Sequence, residues 1–397
     1  MSIEIILAAI FANLSVTNKP EIKFFTELFE LLFSMRGRVN FENLSRYSFY
    51  DESTFRRRFS HFFDWLSFNK TIIESAQVGS QGAVIAAIDC SFISKSGTKT
   101  FGVDKFWSGC AGKAKKGLEI SVLALIDVVT ATAWTLDVTQ TPPQLKKGED
   151  VYSRIDFYIE QILDCLPYLT AVKYFVADGF YAKTKMVKAI LDMNKHLITK
   201  LRPDANLMFR FEGEHKKRQG PKSKYESKAV YDDLSKWHFK GKDAKYDYLS
   251  VYHRICFSPQ FGCWLAVILV LNTKTNKYIL LASTDIEQNP LEILTFYQLR
   301  FQIEFLFRDA KQFAGLNHCQ ARDDAKLDFH FNMSLSAINI IQALKHNDPT
   351  ITSMNALTRK AYNTRIVQNL LTQLSLEAEF DIFHPDIQKV INLGAAF

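Results

Sequence analysis

The chain has 397 residues, of which 47% are hydrophobic and 23% charged. This length allows two or three domains with cores of their own, and the composition excludes an intrinsically disordered chain. The formal net charge is +7, which suits a polyanionic partner such as nucleic acid without requiring one. Because the six cysteines are scattered and form no CxxC pair, the sequence predicts neither a zinc ribbon nor a disulfide framework.

The apolar segments are too short to cross a bilayer. Residues 1–14 are apolar but contain Glu4 and no basic leader, which predicts a core helix rather than a signal peptide. The longest apolar run, residues 263–271, falls well short of the roughly 20 residues that a membrane-spanning helix needs. We therefore expect a soluble protein of the cytoplasm.

Residues 1–80 are expected to form helices, because apolar side chains recur there at every third or fourth position. Two short helices are predicted between residues 41 and 66, and Asp51 or Ser53 is the candidate cap of the second. The first turns of that helix carry three arginines, which are Arg56, Arg57 and Arg58. This arrangement predicts a helical DNA-binding region of helix-turn-helix type, and a plain helical hairpin with a solvated basic face is the alternative.

Beyond residue 80 the sequence changes to short apolar runs rich in branched residues, which predict strands. Strands are predicted at residues 83–89, 118–129, 132–138, 171–178 and 196–202, with helices at 151–165 and 182–194. Strands that alternate with helices indicate a mixed α/β sheet. We assign residues 81–203 and 286–345 to one α/β core.

Residues 204–285 interrupt this alternation and predict a β-rich insertion in the core. Their first part, residues 210–228, is basic and contains Gly and Pro, so that an exposed loop is expected. Three strand-like runs follow at residues 246–257, 263–272 and 277–284. One long helix is predicted at 290–313, and the C-terminal region, residues 346–397, is expected to be helical.

Two of the predicted strands end in an aspartate. Asp89 closes the apolar run at 83–89, and Asp178 closes the run at 171–178. An acid that directly follows a buried strand lies at the carboxyl edge of the sheet, where α/β proteins bind their ligands. Either aspartate by itself is more often a turn former or a helix cap.

The predicted helix at 290–313 carries a charged stripe. At about 100° per residue, five side chains share one narrow face, and these are Tyr297, Arg300, Glu304, Arg308 and Lys311. The other positions are largely apolar, so we expect a buried helix whose stripe faces a cleft or a charged ligand. The alternative for Glu304 is a local ion pair with Arg300 or Arg308.

Phosphodiester chemistry accounts for a carboxylate within this cationic stripe. Carboxylates hold the two divalent cations, about 4 Å apart, of many phosphoryl-transfer sites, and Asp89, Asp178 and Glu304 are the candidate catalytic and metal-binding residues. Mg²⁺ suits such a site because it takes oxygen ligands and keeps several waters. Arg300 and Lys311 would hold phosphate oxygens, and Tyr297 would donate to another.

This pattern resembles that of the bacterial insertion-sequence transposases with a DDE triad and a Tyr-Arg-Glu-Lys helix. The family motif is Tyr, two residues, Arg, three residues, Glu, six residues, Lys, and residues 297–311 meet every spacing. The segments around Asp89 and Asp178 also look like those around the first two acids of the family. The resemblance covers roughly residues 83–345.

The resemblance implies a ribonuclease-H-like α/β core with a β-rich insertion, and two Mg²⁺ or Mn²⁺ ions as cofactors. It implies cut-and-paste transposition, in which hydrolysis at the end of the element frees a 3′-hydroxyl that then joins target DNA. The partners would be double-stranded transposon ends and target DNA, bound by a homodimer or higher oligomer in the nucleoid. A ribonuclease-H-like nuclease or resolvase that cuts without joining is the alternative.

The resemblance also points to aromatic and basic side chains. Some relatives release the element through a DNA hairpin and hold a flipped base on a tryptophan of the insertion, for which Trp264 and Trp237 are the candidates here. The alternative for Trp264 is a core position. Other basic side chains fit a DNA surface through phosphate contacts, and a solvated charged face is the alternative for each. Besides Arg308 and the N-terminal arginines, these are Lys113, Lys115 and Lys116 in a Gly-rich loop, and Lys216, Lys217 and Arg218 in the insertion loop.

Overall fold

The computed structural model describes residues 3–14, 18–145, 151–213, 223–348, 351, 353–375 and 380–393. These segments form a mixed α/β protein in which helices pack on one 12-stranded sheet. The expected fold class is confirmed. Among the described residues, no helix has the length and apolar character that crossing a bilayer would require.

Short helices with capped ends make up the N-terminal region. They are α1 Ile3–Ala12, α2 Lys19–Ser34, α3 Phe41–Tyr47, α4 Glu52–Arg58 and α5 Trp65–Ser75. Helix α4 begins at Asp51, one of the two candidate caps, whose carboxylate accepts a hydrogen bond from the Thr54 N–H at 2.8 Å. The three arginines lie in the last turn of α4 and not in its first turns as predicted. Phe59 caps the end of this helix, and its ring packs in the aromatic core, 4.2 Å from that of Phe329.

A mixed sheet forms the core of the protein. Its strands are β1 Val84–Ser94, β2 Asp104–Ser108, β3 Lys113–Asp127, β4 Thr132–Gln140, β5 Tyr174–Ala177 and β6 His196–Leu201. Strand β3 lies antiparallel between β1 and β4, whereas β5 lies parallel between β1 and β6. Two helices alternate with these strands along the chain. Helix α6 Arg154–Cys165 lies between β4 and β5, and α7 Thr184–Asp192 lies between β5 and β6. The ribonuclease-H-like order therefore places β1 beside β5 at the centre of the sheet.

One strand in this core was not predicted. In the described segments β2 pairs with β3 alone, so that Trp107 lies opposite Ala114 and Lys105 opposite Lys116. Because β3 already begins at Lys113, the lysines expected in a Gly-rich loop belong to a strand. Gly112, with φ of 60°, supplies the left-handed residue that turns the chain back to pair with β2.

The insertion continues the core sheet. Its strands are β7 Met208–Arg210, β8 Tyr225–Lys228, β9 His238–Lys242, β10 Leu249–Ser258, β11 Cys263–Asn272 and β12 Lys277–Ser283. Strand β12 pairs antiparallel with β6, and β11 and β10 follow in order. A second apolar cluster, which includes Phe209, Trp237 and Val267, packs on this part of the sheet.

The prediction of one long helix at 290–313 is wrong, because two helices occupy that segment. They are α8 Pro290–Leu299 and α9 Phe301–Phe313. At the junction, the Arg300 N–H bonds to the Tyr297 carbonyl, three residues back, at 3.3 Å, which tightens the turn. Helix α9 is also less buried than predicted, since Phe301 and Phe305 are 49% and 43% exposed.

The C-terminal part is helical in the described residues, with α10 Asp324–Asn347, α11 Met354–Gln373 and α12 Pro385–Ile391. Helix α10 runs through the core and is anchored by Asn339. The Asn339 amide accepts from the Thr135 N–H at 2.9 Å and donates to Asn69 of α5 at 3.0 Å. Arg365 of α11 bonds to Glu27 of α2 at 2.7 Å. Polar contacts therefore tie both ends of the chain to the core.

Candidate active site

Asp89 lies in the middle of β1 and not at its end as predicted. Its parallel neighbour β5 pairs with β1 only at Ala86 and Ala87, so that β1 extends past the carboxyl end of β5. Asp89 therefore lies just beyond the last paired position, where the sheet opens. The strand itself continues to Ser94.

Asp178 directly follows β5, as predicted. Its carboxylate accepts a hydrogen bond from the Phe180 N–H at 2.8 Å, and its carbonyl accepts one from the Thr199 hydroxyl at 2.9 Å. Asp89 and Asp178 line one cavity of about 330 Å³. The fold thus brings two carboxylates that are far apart in sequence to the same opening of the sheet.

Arg300, at the junction of α8 and α9, connects Glu304 to Asp89. Its guanidinium donates to Asp89 Oδ2 at 3.2 Å and to Glu304 Oε1 at 2.8 Å. Arg300 is only 7% exposed. The ion pair between Arg300 and Glu304, which was the alternative reading of the sequence, is therefore present, and the same arginine also reaches the central strand.

The acids form one electrostatic unit. Burial raises the pKa of Asp89 to about 7. The Arg300 guanidinium opposes this rise, while the charges of Asp178 and Glu304 add to it. Arg300, Asp178 and Glu304 thus all act on the charge of Asp89. A buried carboxylate among other carboxylates favours a cationic ligand over solvent.

The other members of the predicted stripe divide into two groups. Lys311 faces β1, where its ammonium donates to Ser91 Oγ at 2.7 Å. Tyr297 is buried beside Arg300, whose guanidinium carbon is 5.8 Å from the ring centroid. Arg308 is exposed, and its ion pair at 2.9 Å is with Asp309 rather than with any of the three acids. The stripe therefore directs Tyr297, Arg300 and Lys311, but not Arg308, towards the central strand.

The remaining predicted DNA contacts are dispersed. Arg56 pairs with Glu52, Arg58 lies over the Phe24 ring at 5.4 Å, and Arg57 is exposed. Lys113, Lys115 and Lys116 are exposed on β3. Lys216, Lys217 and Arg218 lie outside the described residues.

Neither of the two tryptophans predicted to stack on a flipped base has a fully exposed ring. Trp237 is 5% exposed, and its indole N–H donates to the Val230 carbonyl at 2.8 Å. Trp264 is half-buried and packs against Tyr225 and Phe257, with centroids 5.7 and 5.4 Å away. These rings stabilise the insertion in this structure.

The cavity has a wall that the sequence analysis did not identify. Besides the two aspartates it is lined by Trp107, Arg154 and Phe180, and by a buried group of Cys90, Glu119, Tyr158 and Tyr181. In that group the Tyr158 hydroxyl donates to Glu119 at 2.8 Å. An aromatic residue interleaved with lysines around residue 107 is the signal that sequence reasoning passed over.

The donor chemistry of the acids fits a hard divalent cation, because all three offer carboxylate oxygens. As they stand, however, no three Asp, Glu, His or Cys side chains in the described segments are close enough together to hold an ion. The Arg300 guanidinium lies between Asp89 and Glu304 and bonds to both. Asp89 and Asp178 are therefore the acids presented to the cavity, and Glu304 is held beside them through Arg300.

Comparison with known proteins gives a family. A family model described as a DDE superfamily endonuclease matches residues 23–246, which is more than half of the chain. The match includes Asp89 and Asp178 and ends before Glu304. Among curated proteins, none matches the chain. Together with the ribonuclease-H-like sheet, the family match shows that this chain belongs to the DDE superfamily of endonucleases.

Proposed function

We propose that the protein is a transposase of the insertion-sequence type, which cuts the ends of its element and joins them to target DNA. The observation that supports this proposal most is the Arg300 bridge, which links Glu304 to Asp89 through two hydrogen bonds. The Tyr-Arg-Glu-Lys spacing of residues 297–311 adds to it. Asp89, Asp178 and Glu304 are the catalytic residues of this proposal.

The three carboxylates would hold two Mg²⁺ or Mn²⁺ ions. Such ions activate water and stabilise the attacking and leaving oxygens of an in-line displacement. Arg300, whose guanidinium bonds to one oxygen of Asp89 and one of Glu304, would compete with such ions for these two carboxylates. Once displaced, the guanidinium is available, with Lys311, to phosphate oxygens, which both side chains suit.

The reaction has two steps. Water attacks the phosphodiester at the end of the element, the bond to the 3′-oxygen breaks, and a 3′-hydroxyl is released. That hydroxyl then attacks a phosphodiester of the target. A new bond joins the element to the target phosphorus, and the 3′-oxygen of the target strand leaves. We infer that the helices α3 and α4 and the lysines of β3 contact DNA phosphates, and that two or more copies hold the paired ends in the nucleoid.

The second candidate is an endonuclease or resolvase that stops after the first step, and the description of the matching family favours it. The deciding experiment incubates the protein with Mg²⁺, a target plasmid and linear DNA that carries the sequences flanking its own gene. Joined products support the transposase. Cleavage without joined products, under conditions where the ends are synapsed, supports the nuclease.

We expect Asp89→Asn, Asp178→Asn and Glu304→Gln each to lower Mg²⁺-dependent cleavage by more than about a hundredfold, because each removes charge stabilisation from the transition state. Binding of the same DNA, measured with Ca²⁺ in place of Mg²⁺, should change little. Asp309→Asn is the matched control, since Asp309 lies on α9 but pairs with Arg308, outside the site. Normal cleavage by any of the three variants would remove that residue from the catalytic group.

A further inference from the structure

The outer face of the hairpin formed by β2 and β3 combines an aromatic ring with positive charge. Lys105 and Trp107 alternate with Phe106 along β2, and Phe106 is completely buried. Side chains two apart in a strand share a face, so that Lys105 and Trp107 project outwards together. Lys116, which pairs with Lys105, lies on the same face. We call these three residues the Trp107 surface.

The Trp107 surface leads into the cavity that holds the two aspartates. Trp107, Asp89 and Asp178 line the same space of about 330 Å³, together with Phe180 and Arg154. The Arg154 guanidinium lies 4.6 Å from the centroid of the Phe106 ring, on the inner side of the hairpin. An exposed ring, a second half-exposed ring and an arginine therefore surround the entrance to the acids.

The exposure of Trp107 is not accounted for by packing. It is 62% exposed, whereas Trp65, Trp134 and Trp237 are each 5% exposed or less. In the ring contacts formed within the described segments, Trp107 takes no part. A tryptophan left in water forgoes about 2–3 kcal/mol of burial, so this position invites a ligand with a flat apolar face.

The chemistry of the surroundings selects the ligand. Lysines beside an exposed aromatic ring are the pattern that binds single-stranded nucleic acid, because the charges follow the phosphates while a base stacks on the ring. An acidic or apolar peptide fits less well, since the cavity that follows is lined by carboxylates. An unpaired base is neutral and polar at its edge, and it can lie beside those carboxylates without repulsion.

We propose that Trp107 stacks on an unpaired DNA base next to the phosphate that is cut, while Lys105 and Lys116 contact the flanking phosphates. This inference rests on the proposed function in one respect, which is that the strand reaching the acids is DNA. It assigns Trp107 a positioning role and adds a preference for ends whose base pairs have opened. Trp237 and Trp264 then serve as packing residues of the insertion.

The test compares two DNA probes in buffer that contains Ca²⁺ and no Mg²⁺. One is a short blunt duplex, and the other is the same duplex with a few unpaired thymidines at one end. Wild-type protein should bind the second probe more tightly. Trp107→Ala should weaken binding of that probe by roughly fivefold to a hundredfold, which is the range for loss of one stacked base, and should leave the blunt duplex unaffected.

Two further variants sharpen the result. Trp107→Phe keeps a ring and should regain part of the lost affinity, whereas Phe383→Ala removes a ring that is 78% exposed at the other end of the chain and should change nothing. Equal binding of the open-ended probe by wild type and Trp107→Ala would overturn the inference. So would an equal loss on both probes, because it would indicate a contact without stacking.

The cleavage assay separates this inference from the function on which it rests. If wild-type protein cuts and joins DNA but Trp107→Ala binds open ends normally, the inference alone fails. If wild-type protein neither binds nor cuts any DNA probe, the proposed function fails, and the base-stacking role fails with it. If Trp107→Ala loses open-end binding and also cuts more slowly, both stand.

Discussion

Arg300 is the residue on which the charge balance of the site depends. It is buried, donates to Asp89 and Glu304, and lies next to the phenol of Tyr297. Its Nε is one of the buried nitrogens in the described residues that lack a hydrogen-bond partner. A guanidinium in this position compensates two carboxylates with one charge, and one of its donors remains unsatisfied for a ligand oxygen.

We expect Arg300→Ala to lower the free energy of unfolding by about 3 kcal/mol, because removing one partner of a buried ion pair leaves the other charge uncompensated. Chemical denaturation followed by circular dichroism measures this change. Adding Asp89→Asn to Arg300→Ala should restore part of the loss, since the uncompensated charge is then gone. Equal stability of Arg300→Ala and the wild type would show that the bridge is only a surface contact.

At this scale the sequence identified part of the site. Asp178 and the stripe of Tyr297, Arg300 and Lys311 were recognisable because strand ends and helical spacing are local properties. Trp107 was not recognisable, because its importance depends on a five-residue strand that forms only when β3 is there to pair with it. For the same reason, the burial of Trp237 depends on contacts that no local pattern records.

At the scale of elements, the position of α10 decides how the helical regions attach to the sheet. Asn339 bonds to the backbone of Thr135 in β4 through both its oxygen and its nitrogen, and its nitrogen also reaches Asn69 of α5. The Asn69 amide in turn donates to the Leu136 carbonyl at 3.3 Å. One buried polar network thus fastens two helices to one strand.

Asn339→Leu is expected to lower the free energy of unfolding by roughly 2–3 kcal/mol, because it leaves the Thr135 N–H and the side-chain oxygen of Asn69 buried without partners. Thermal or chemical unfolding measures the effect. Asn347→Ala, at the exposed end of the same helix, is the matched control and should stay within about 0.5 kcal/mol of the wild type. A similar small effect for both variants would mean that the network contributes little.

The elements themselves were largely predictable from sequence. The branched runs gave β1, β3–β6 and β10–β12 within a few residues, since apolar periodicity is set by the strand itself. The break between α8 and α9 was missed, because no proline or glycine marks it and the apolar pattern continues through Arg300. That β12 pairs with β6 was also beyond reach, since strand order depends on contacts distant in sequence.

At the scale of the whole molecule, the net charge is +7, and some of the positive side chains are concentrated in one place. Lys105, Lys113, Lys115 and Lys116 lie together on one hairpin, next to a cavity that carries aspartates. The lysines around the cavity attract a polyanion over a long range, whereas the aspartates inside it are left to bind metal ions.

The logarithm of the binding constant for duplex DNA should fall linearly with the logarithm of salt concentration, because DNA phosphates release their counterions when the protein binds them. We expect Lys105→Gln together with Lys116→Gln to reduce the magnitude of that slope by about two, at roughly 0.9 per phosphate contact. Lys345→Gln together with Lys389→Gln removes the same charge from the C-terminal helices and should leave the slope unchanged. An equal reduction of the slope in both double variants would show that DNA binding depends on the net charge of the protein and not on the position of these lysines.

The three acids stand far apart along the chain, and the third follows the whole insertion. Asp89 and Asp178 lie within residues 23–246, the part of the chain that the family model matches. Glu304 comes 126 positions after Asp178. During synthesis the first two therefore leave the ribosome well before α9 exists. A polypeptide that ends before residue 304 would lack the last carboxylate and also α10, which runs through the core. In terms of the proposed chemistry, such a fragment has no complete set of acids with which to cut DNA.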